Sequence, residues 1–289
     1  MKTKFYIYLI CGLINSSIYA QSFKDVFWGY DYSLYKGSYL KFKDKTVEYF
    51  DRTFYYNIKD CKKLNDNVLY PASKYKYKTV SDSLRNKVFK VVEILDSDSL
   101  PFLGNAYYDN PIFLLKDTLT QQNVFFIYNP WNEYLFPFLI SQEEIDSNIF
   151  CSRIEKKSDD FTNEVSYSTP FYEGKDLIPL VFYKIIKGGN KTYYLSLTAN
   201  GNTVVVDGKG VIILFEDGTK INKPNVKIEV NAKSDGYEYS AFFPLTVQEI
   251  QFLKNKKITN YRLYIFDNKL NKSFAEKLKY YSKCLLEIK

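Results

Sequence analysis

The sequence predicts a mainly β fold: a β-rich N-terminal region over 21–150, then a β-sandwich-like C-terminal domain over 151–289 carrying two short helices. Three observations predict it. Short stretches that alternate in polarity, or are rich in β-branched and aromatic residues, recur along the chain, and aromatics make up 18% of it. Asn-Gly, Asp-Gly and Gly-Gly-Asn steps punctuate the second half, and these fill the tight turns between antiparallel strands. Helix signatures are few and local, in the form of Ser/Thr-x-x-Glu capping boxes.

The first twenty residues are set apart from the fold. Lys2 and Lys4 precede the apolar run Phe5–Ile14, and "SSIYA" offers small residues ending at Ala20. This is the pattern of a secretory signal peptide cleaved near Ala20. It predicts an exported chain, periplasmic or extracellular. The apolar run is shorter than the roughly 20 residues of a membrane span, and no later segment is apolar enough, so no transmembrane span is expected.

In the first half the strands are expected at "SYLKFK" (38–43), "TVEYF" (46–50), "VFKVVEIL" (88–95), "PIFLLKD" (111–117) and "NVFFIYN" (123–129). "VSDSLRNK" (80–87) reads as a helical turn or a loop. Ser141 with Glu144 is a capping-box signature for a short helix. In the second half "SRIEKK" (152–157) and "EVSYST" (164–169) flank a hairpin loop, with Asn163 suited to positive φ. "LVFYKIIK" (180–187) and "KTYYLSLTA" (191–199) flank Gly188-Gly189-Asn190. Turns at Asn200-Gly201, Asp207-Gly208 and Asp217-Gly218 then make 180–221 a meander through "TVVV" (203–206) and "VIILFE" (211–216). "VKIEV" (226–230), "YEYSAFF" (237–243) and "NYRLYIFD" (260–267) complete the strands. Thr246 with Glu249 caps a helix over 247–255, and Ser273 with Glu276 caps one over 274–288. In that last helix Phe274, Leu278, Tyr281, Leu285 and Ile288 form one apolar stripe that a sheet should cover.

The stretches "SDDFTNEVSYSTP", "TYYLSLTANG", "GKGVIILFEDGTKI", "YEYSAFFPLT", "NYRLYIFD" and "SFAEKLKYYSKC" resemble a group of uncharacterised exported bacterial proteins. The likeness covers about 150–289; the N-terminal half has none. It implies a compact β-rich C-terminal domain and an envelope or secreted location, and it brings no catalytic residue with it.

Charge and composition narrow the chemistry. The formal net charge is +7, but only four of the 40 basic residues are arginine, and the lysines are scattered among acids and aromatics. Phosphate recognition favours arginine's planar fork and clustered charge, so no nucleic-acid partner is expected. The chain contains no histidine. That excludes a Ser-His-Asp triad, a His-assisted cysteine nucleophile and an imidazole zinc site. Carboxylates, lysine and tyrosine remain for acid–base work. Past the leader stand Cys61, Cys151 and Cys284, enough for one bridge and at least one free thiol, with no metal-ligand spacing. No cofactor or metal is expected.

Glu216-Asp217 closes an apolar strand and precedes Gly218. The dipeptide Asp217-Gly218 predicts a type I′ hairpin corner with Asp217 left-handed, not one half of a catalytic pair across a cleft. Asp159-Asp160 with Glu164 has calcium-like ligands but not the spacing of a calcium loop, and reads as a polar hairpin tip; "DSDS" (96–99) reads likewise. "KYKYK" (74–78) reads as an edge strand guarded by lysine. The stretch singled out for binding is "YNPWNEYLF" (128–136), with Tyr128, Trp131 and Tyr134 as ligand contacts. Asn129-Pro130 should begin a turn that puts Trp131 on a hairpin tip, either as an exposed platform or folded back as a lid. Trp28 carries the same ambiguity. The reading favoured is a non-enzymatic envelope module that binds a glycan, a peptide or an envelope protein. Two others compete: a carboxylate-based polysaccharide hydrolase, and a structural accessory protein without a ligand.

Overall fold

The computed structural model describes residues 22–44, 48–51, 53–63, 69–71, 78–95, 110–141, 145, 148–173, 176–205 and 207–288. The leader, "DSDS", Glu144 and most of "KYKYK" lie outside them, as do the first residues of "TVEYF". The chain divides into two compact units, Met1–Ile145 and Asp146–Lys289. Both are mainly β. Among the described residues no helix is long and apolar enough to cross a membrane.

The N-terminal unit contains β1 (Tyr39–Phe42), β2 (Tyr49–Asp51), β3 (Phe54–Tyr55), the short helix α1 (Ile58–Lys63), β4 (Lys78–Val80), β5 (Val88–Leu95), β6 (Ile112–Asp117), β7 (Asn123–Ile127) and β8 (Phe138–Ser141). β2 and β4 pair separately. The rest form one antiparallel sheet in the order β3-β7-β6-β5-β1-β8. Alternation decides which face is buried: Phe89 and Val91 on β5, Phe113 and Leu115 on β6, Val124 and Phe126 on β7 all point inward. Rings fill this core, edge to face; Phe126 and Phe138 sit 5.3 Å apart at 83°. The segment "VSDSLRNK" forms a 3-10 turn over Ser81–Leu84.

One expectation fails here. Ser141 is the last residue of a strand, paired with Tyr39, and Ile145, the next described residue, is not helical. That strand, β8, was hidden by the proline at its N-terminal flank. Pro137 is harmless there, because it precedes the paired residues. The outer edge of β8 is met by Lys24, whose backbone exchanges hydrogen bonds of 2.9 and 2.8 Å with Ile140.

The C-terminal unit opens with α2 (Asn148–Cys151), β9 (Glu155–Asp159) and β10 (Glu164–Ser168), followed by the small hairpin β11 (Tyr172–Glu173) and β12 (Asp176–Leu177). β13 (Leu180–Lys187), β14 (Asn190–Gly201), β15 (Lys209–Phe215), β16 (Lys220–Lys227), β17 (Glu229–Lys233) and β18 (Gly236–Pro244) come next. α3 (Val247–Asn255), β19 (Ile258–Leu263), β20 (Phe266–Lys269) and α4 (Lys272–Glu287) end the chain. The strands make two principal antiparallel sheets, β17-β18-β14-β13-β10-β9 and β16-β15-β19-β20. They enclose one core that includes Phe182, Leu195, Leu197, Val211, Ile213 and Phe243. The Tyr261 hydroxyl ties the sheets together by donating to the Thr198 carbonyl at 2.6 Å. This is a sandwich-like arrangement.

The meander expected over 180–221 is not continuous. β13 and β14 are a hairpin in one sheet, β15 and β16 a hairpin in the other, and 202–208 crosses between them. No strand forms at the described residues of "TVVV". Gly201 is no turn residue; it lies in β14 opposite Tyr237. A Cβ there would stand 2.4 Å from the Phe266 ring, so glycine serves close packing. "VKIEV" is split between β16 and β17. "NYRLYIFD" is likewise two strands, because Tyr264 takes φ 54° and reverses the chain. Asn163, by contrast, has the positive φ expected of it, 52°.

α4 is held at three points. Asn271 caps it, accepting from the Ser273 and Phe274 N–H groups at 2.8 and 3.4 Å; the expected cap, Ser273, lies inside the helix. Cys284 is bridged to Cys151 in α2. The Lys184 ammonium, buried with its strand, donates to the carbonyls of Leu285 (3.1 Å) and Ile288 at the negative helix end. Burial pushes its pKa down from the ordinary lysine value. Phe274, Leu278 and Leu285 of the predicted stripe join the sandwich core.

Candidate functional site

The stretch 128–137 is not a hairpin. β7 and β8 are separated in the sheet by β6, β5 and β1, so the segment crosses over three strands. Its sequence dictates how it turns. Asn129 Oδ1 accepts from the Trp131 N–H at 2.9 Å, and Asn132 Oδ1 accepts from the Tyr134 N–H at 3.0 Å. Two consecutive Asx turns therefore fix the backbone, and a 3-10 turn over Glu133–Leu135 follows. The side chains they present are exposed: Trp131 58%, Tyr134 80% and Leu135 40%. Trp131 is a platform, not a lid. The Tyr30 ring meets it at 4.7 Å and 86°, bracing it from one side.

Tyr128 belongs elsewhere. It is fully buried, stacks on Phe113 at 4.8 Å and 16°, and donates its hydroxyl to the Gly29 carbonyl at 2.9 Å. It supports the crossover from inside and cannot meet a ligand at this surface. The signal was present in the sequence: Val124, Phe126 and Tyr128 continue one period-2 series on the inward face. Trp28 is also buried, its N–H accepted by the Tyr35 hydroxyl at 2.9 Å.

The acidic candidates are corners. Gly218 N–H donates to the Phe215 carbonyl at 3.0 Å, and Gly218 has φ 83°. This is a turn closed by a left-handed glycine, not the type I′ form; Asp217 is not in the left-handed region. Its carboxylate accepts from the Thr219 N–H at 3.0 Å and pairs with Lys256 at 2.8 Å. The Lys256 contact holds its pKa at about 2. Glu216 turns instead to Lys257, 3.9 Å away. Asp159 accepts from the Phe161 N–H and the Thr162 hydroxyl at 2.9 and 2.8 Å, which closes its own hairpin and lowers its pKa. Among the described residues no group of three or more Cys, Asp or Glu side chains is placed to hold a metal ion.

The most deeply buried carboxylate among the described residues was not singled out by the sequence reading. Asp117 is 1% exposed. It accepts from Lys87 Nζ (2.8 Å), the Tyr70 hydroxyl (3.0 Å) and the N–H groups of Leu119 and Thr120 (2.9 and 3.1 Å). Burial alone would raise its pKa; Lys87 and the amides outweigh that and hold it at about 2. A carboxylate with four donors is an anchor for the turn after β6, with little acceptor capacity left for a substrate.

Compared with known proteins, the chain matches no family model, no curated protein and no solved structure. The Trp131–Tyr134 platform is therefore read from its own geometry.

Proposed function

We propose that this chain is an exported, non-enzymatic module of the bacterial envelope that binds glycan through Trp131 and Tyr134. The observation that carries the reading is two exposed rings held outward by two Asx turns. A sugar ring offers an apolar C–H face for stacking and hydroxyls around its rim. The rings suit the first. The amide groups of Asn129 and Asn132 suit the second: each Oδ1 is engaged by the backbone, so each Nδ2 is the group the side chain can offer. A turn fixed in advance loses little conformational freedom on binding. Export is supported by the leader pattern and by the Cys151–Cys284 bridge, since disulfides persist in oxidising compartments.

The test is retention on an immobilised glycan array. Trp131→Ala and Tyr134→Ala should each weaken retention about tenfold, the scale of a lost aromatic anchor. Their melting temperatures should stay near the parent's, because both side chains are exposed. Unaltered retention in both variants would remove the reading.

A further inference from the structure

The six-stranded sheet of the C-terminal unit ends at β17, and among the described residues no strand pairs with its outer edge. Register fixes which backbone groups that edge offers. In β14 the Thr198 N–H donates to the Pro179 carbonyl at 2.8 Å, on the β13 side, and the Tyr193 carbonyl accepts from the Leu245 N–H at 2.9 Å, on the β18 side. Bonded pairs alternate along an antiparallel ladder, so the odd-numbered residues of β14 and β18 bond to each other. Gly236, Glu238 and Ser240 are left to bond Lys233, Asn231 and Glu229 of β17. The N–H and C=O groups of Val230 and Ala232 therefore point off the sheet. The Ile228 N–H, next in that series, is already taken by the Gly208 carbonyl at 2.9 Å. Glu229, Asn231, Ala232 and Lys233 are exposed, while Val230 packs against the sandwich core.

We propose that this edge pairs antiparallel with the same edge of a second copy of the chain, about a twofold axis through Asn231, joining two sheets into one. The contact is independent of the glycan reading. Full overlap under that symmetry sets Val230 opposite Ala232 of the second copy, where their off-sheet groups exchange hydrogen bonds. It also sets Glu229 opposite Lys233 on both sides of the axis, on the outer face of the sheet. The sequence stays self-complementary beyond the strand: Lys227 and Asp235, both exposed, stand four residues either side of Asn231. Lys233 already lies 3.4 Å from Glu238 and is half exposed, so pairing would make an alternating row of Glu238, Lys233 and the second copy's Glu229. Edge strands are ordinarily blunted against such contacts. β16, at the edge of the other sheet, has Pro224 and a register shift against β15. β9, at the opposite edge of this sheet, would in the corresponding overlap set Glu155 against Asp159 and Lys157 against itself. β17 has no proline and an unbroken register, and its charges attract their own copy. A foreign strand would have to reproduce that charge pattern in reverse; a second copy has it by symmetry.

The experiment is sedimentation velocity of the full chain over a concentration series. The parent should pass from monomer to dimer as concentration rises. Glu229→Lys and Lys233→Glu each set like charges against each other in both cross-strand pairs, and each should raise the dimer dissociation constant about tenfold with unchanged circular dichroism. Ala232→Pro, which removes an off-sheet donor and none of the bonds between β17 and β18, should act in the same direction. An equimolar mixture of the two charge variants restores both opposite-charge pairs, so it should dimerise at concentrations where neither variant does alone. Trp131→Ala should dimerise like the parent. The proposal falls if the parent is monomeric throughout, if Glu229→Lys and Ala232→Pro dimerise like the parent, or if mixing the two charge variants yields no dimer. Loss of the dimer in Trp131→Ala would assign the contact to the N-terminal platform and overturn the edge.

Discussion

Asp117 shows how one residue can have every mark of a catalytic acid and still be structural. It is buried, its pKa is displaced, and a lysine and a tyrosine touch it. What decides the matter is that its oxygens already have four donors. Its carboxyl is held at about 2 in the folded chain, against roughly 3.9 when unfolded. As pH falls, the unfolded state takes up the proton first. The stability this group contributes is therefore complete above about pH 4 and lost as pH falls towards 2. Asp117→Asn leaves Lys87 without its counter-ion, and should cost about 3 kcal/mol, the low end for a broken buried pair because Lys87 keeps some solvent contact. Urea unfolding at pH 7 and pH 3, followed by tryptophan fluorescence, measures both effects. The variant should lose less stability on acidification than the parent; an equal loss would mean the acid sensitivity lies elsewhere.

At the scale of elements, α3 shows what a local signal can achieve. Thr246 Oγ1 accepts from the Glu249 N–H at 3.3 Å, and Glu249 accepts in return from the Thr246 N–H at 2.7 Å. The helix starts where that box places it, at Val247. Lys223, from β16, adds a 2.8 Å ion pair to Glu249. Thr246→Ala should cost about 1 kcal/mol, and Glu249→Ala more, since it removes the cap's second half and the pair. Chemical denaturation of the two variants checks the order; Glu249→Ala no worse than Thr246→Ala would mean Lys223 contributes nothing. Features of this kind were legible because their cause lies within four residues: the α3 cap, Asn163, and the strands 88–95 and 180–187. Features set by distant partners were not. Gly201 is glycine because of Phe266, Tyr264 reverses the chain without a turn residue, and the crossover nature of 128–137 depends on the order of six strands. The candidate site divides the same way. Asn129-Pro130 announced a turn at Trp131 but not whether its ring would stand outward or fold back, and Tyr30, the ring that braces it, is brought there only by the fold.

The whole molecule is two units with separate cores, and its covalent and optical features are distributed unequally between them. Trp28 and Trp131, the only two tryptophans, are both in the N-terminal unit. The bridge between Cys151 and Cys284 lies wholly in the C-terminal unit and joins residues 133 apart. Cys61, in the N-terminal unit, is buried and free, and burial pushes its thiol up to about 12. Little of the reactive thiolate therefore forms at neutral pH. Closing a loop of this length restricts the unfolded chain strongly, and removing such a bridge costs about 3 kcal/mol. In a unit of this size that corresponds to roughly 10 °C of melting temperature. Reduction, or Cys151→Ser with Cys284→Ser, should therefore lower the transition seen by far-ultraviolet circular dichroism, which reports both units. The transition seen by tryptophan fluorescence, which reports the N-terminal unit, should stay in place. A shared shift of both signals would show that the units unfold as one cooperative body, and the absence of any shift would mean that Lys184 and the cap at Asn271 are enough to hold α4 without its covalent tie.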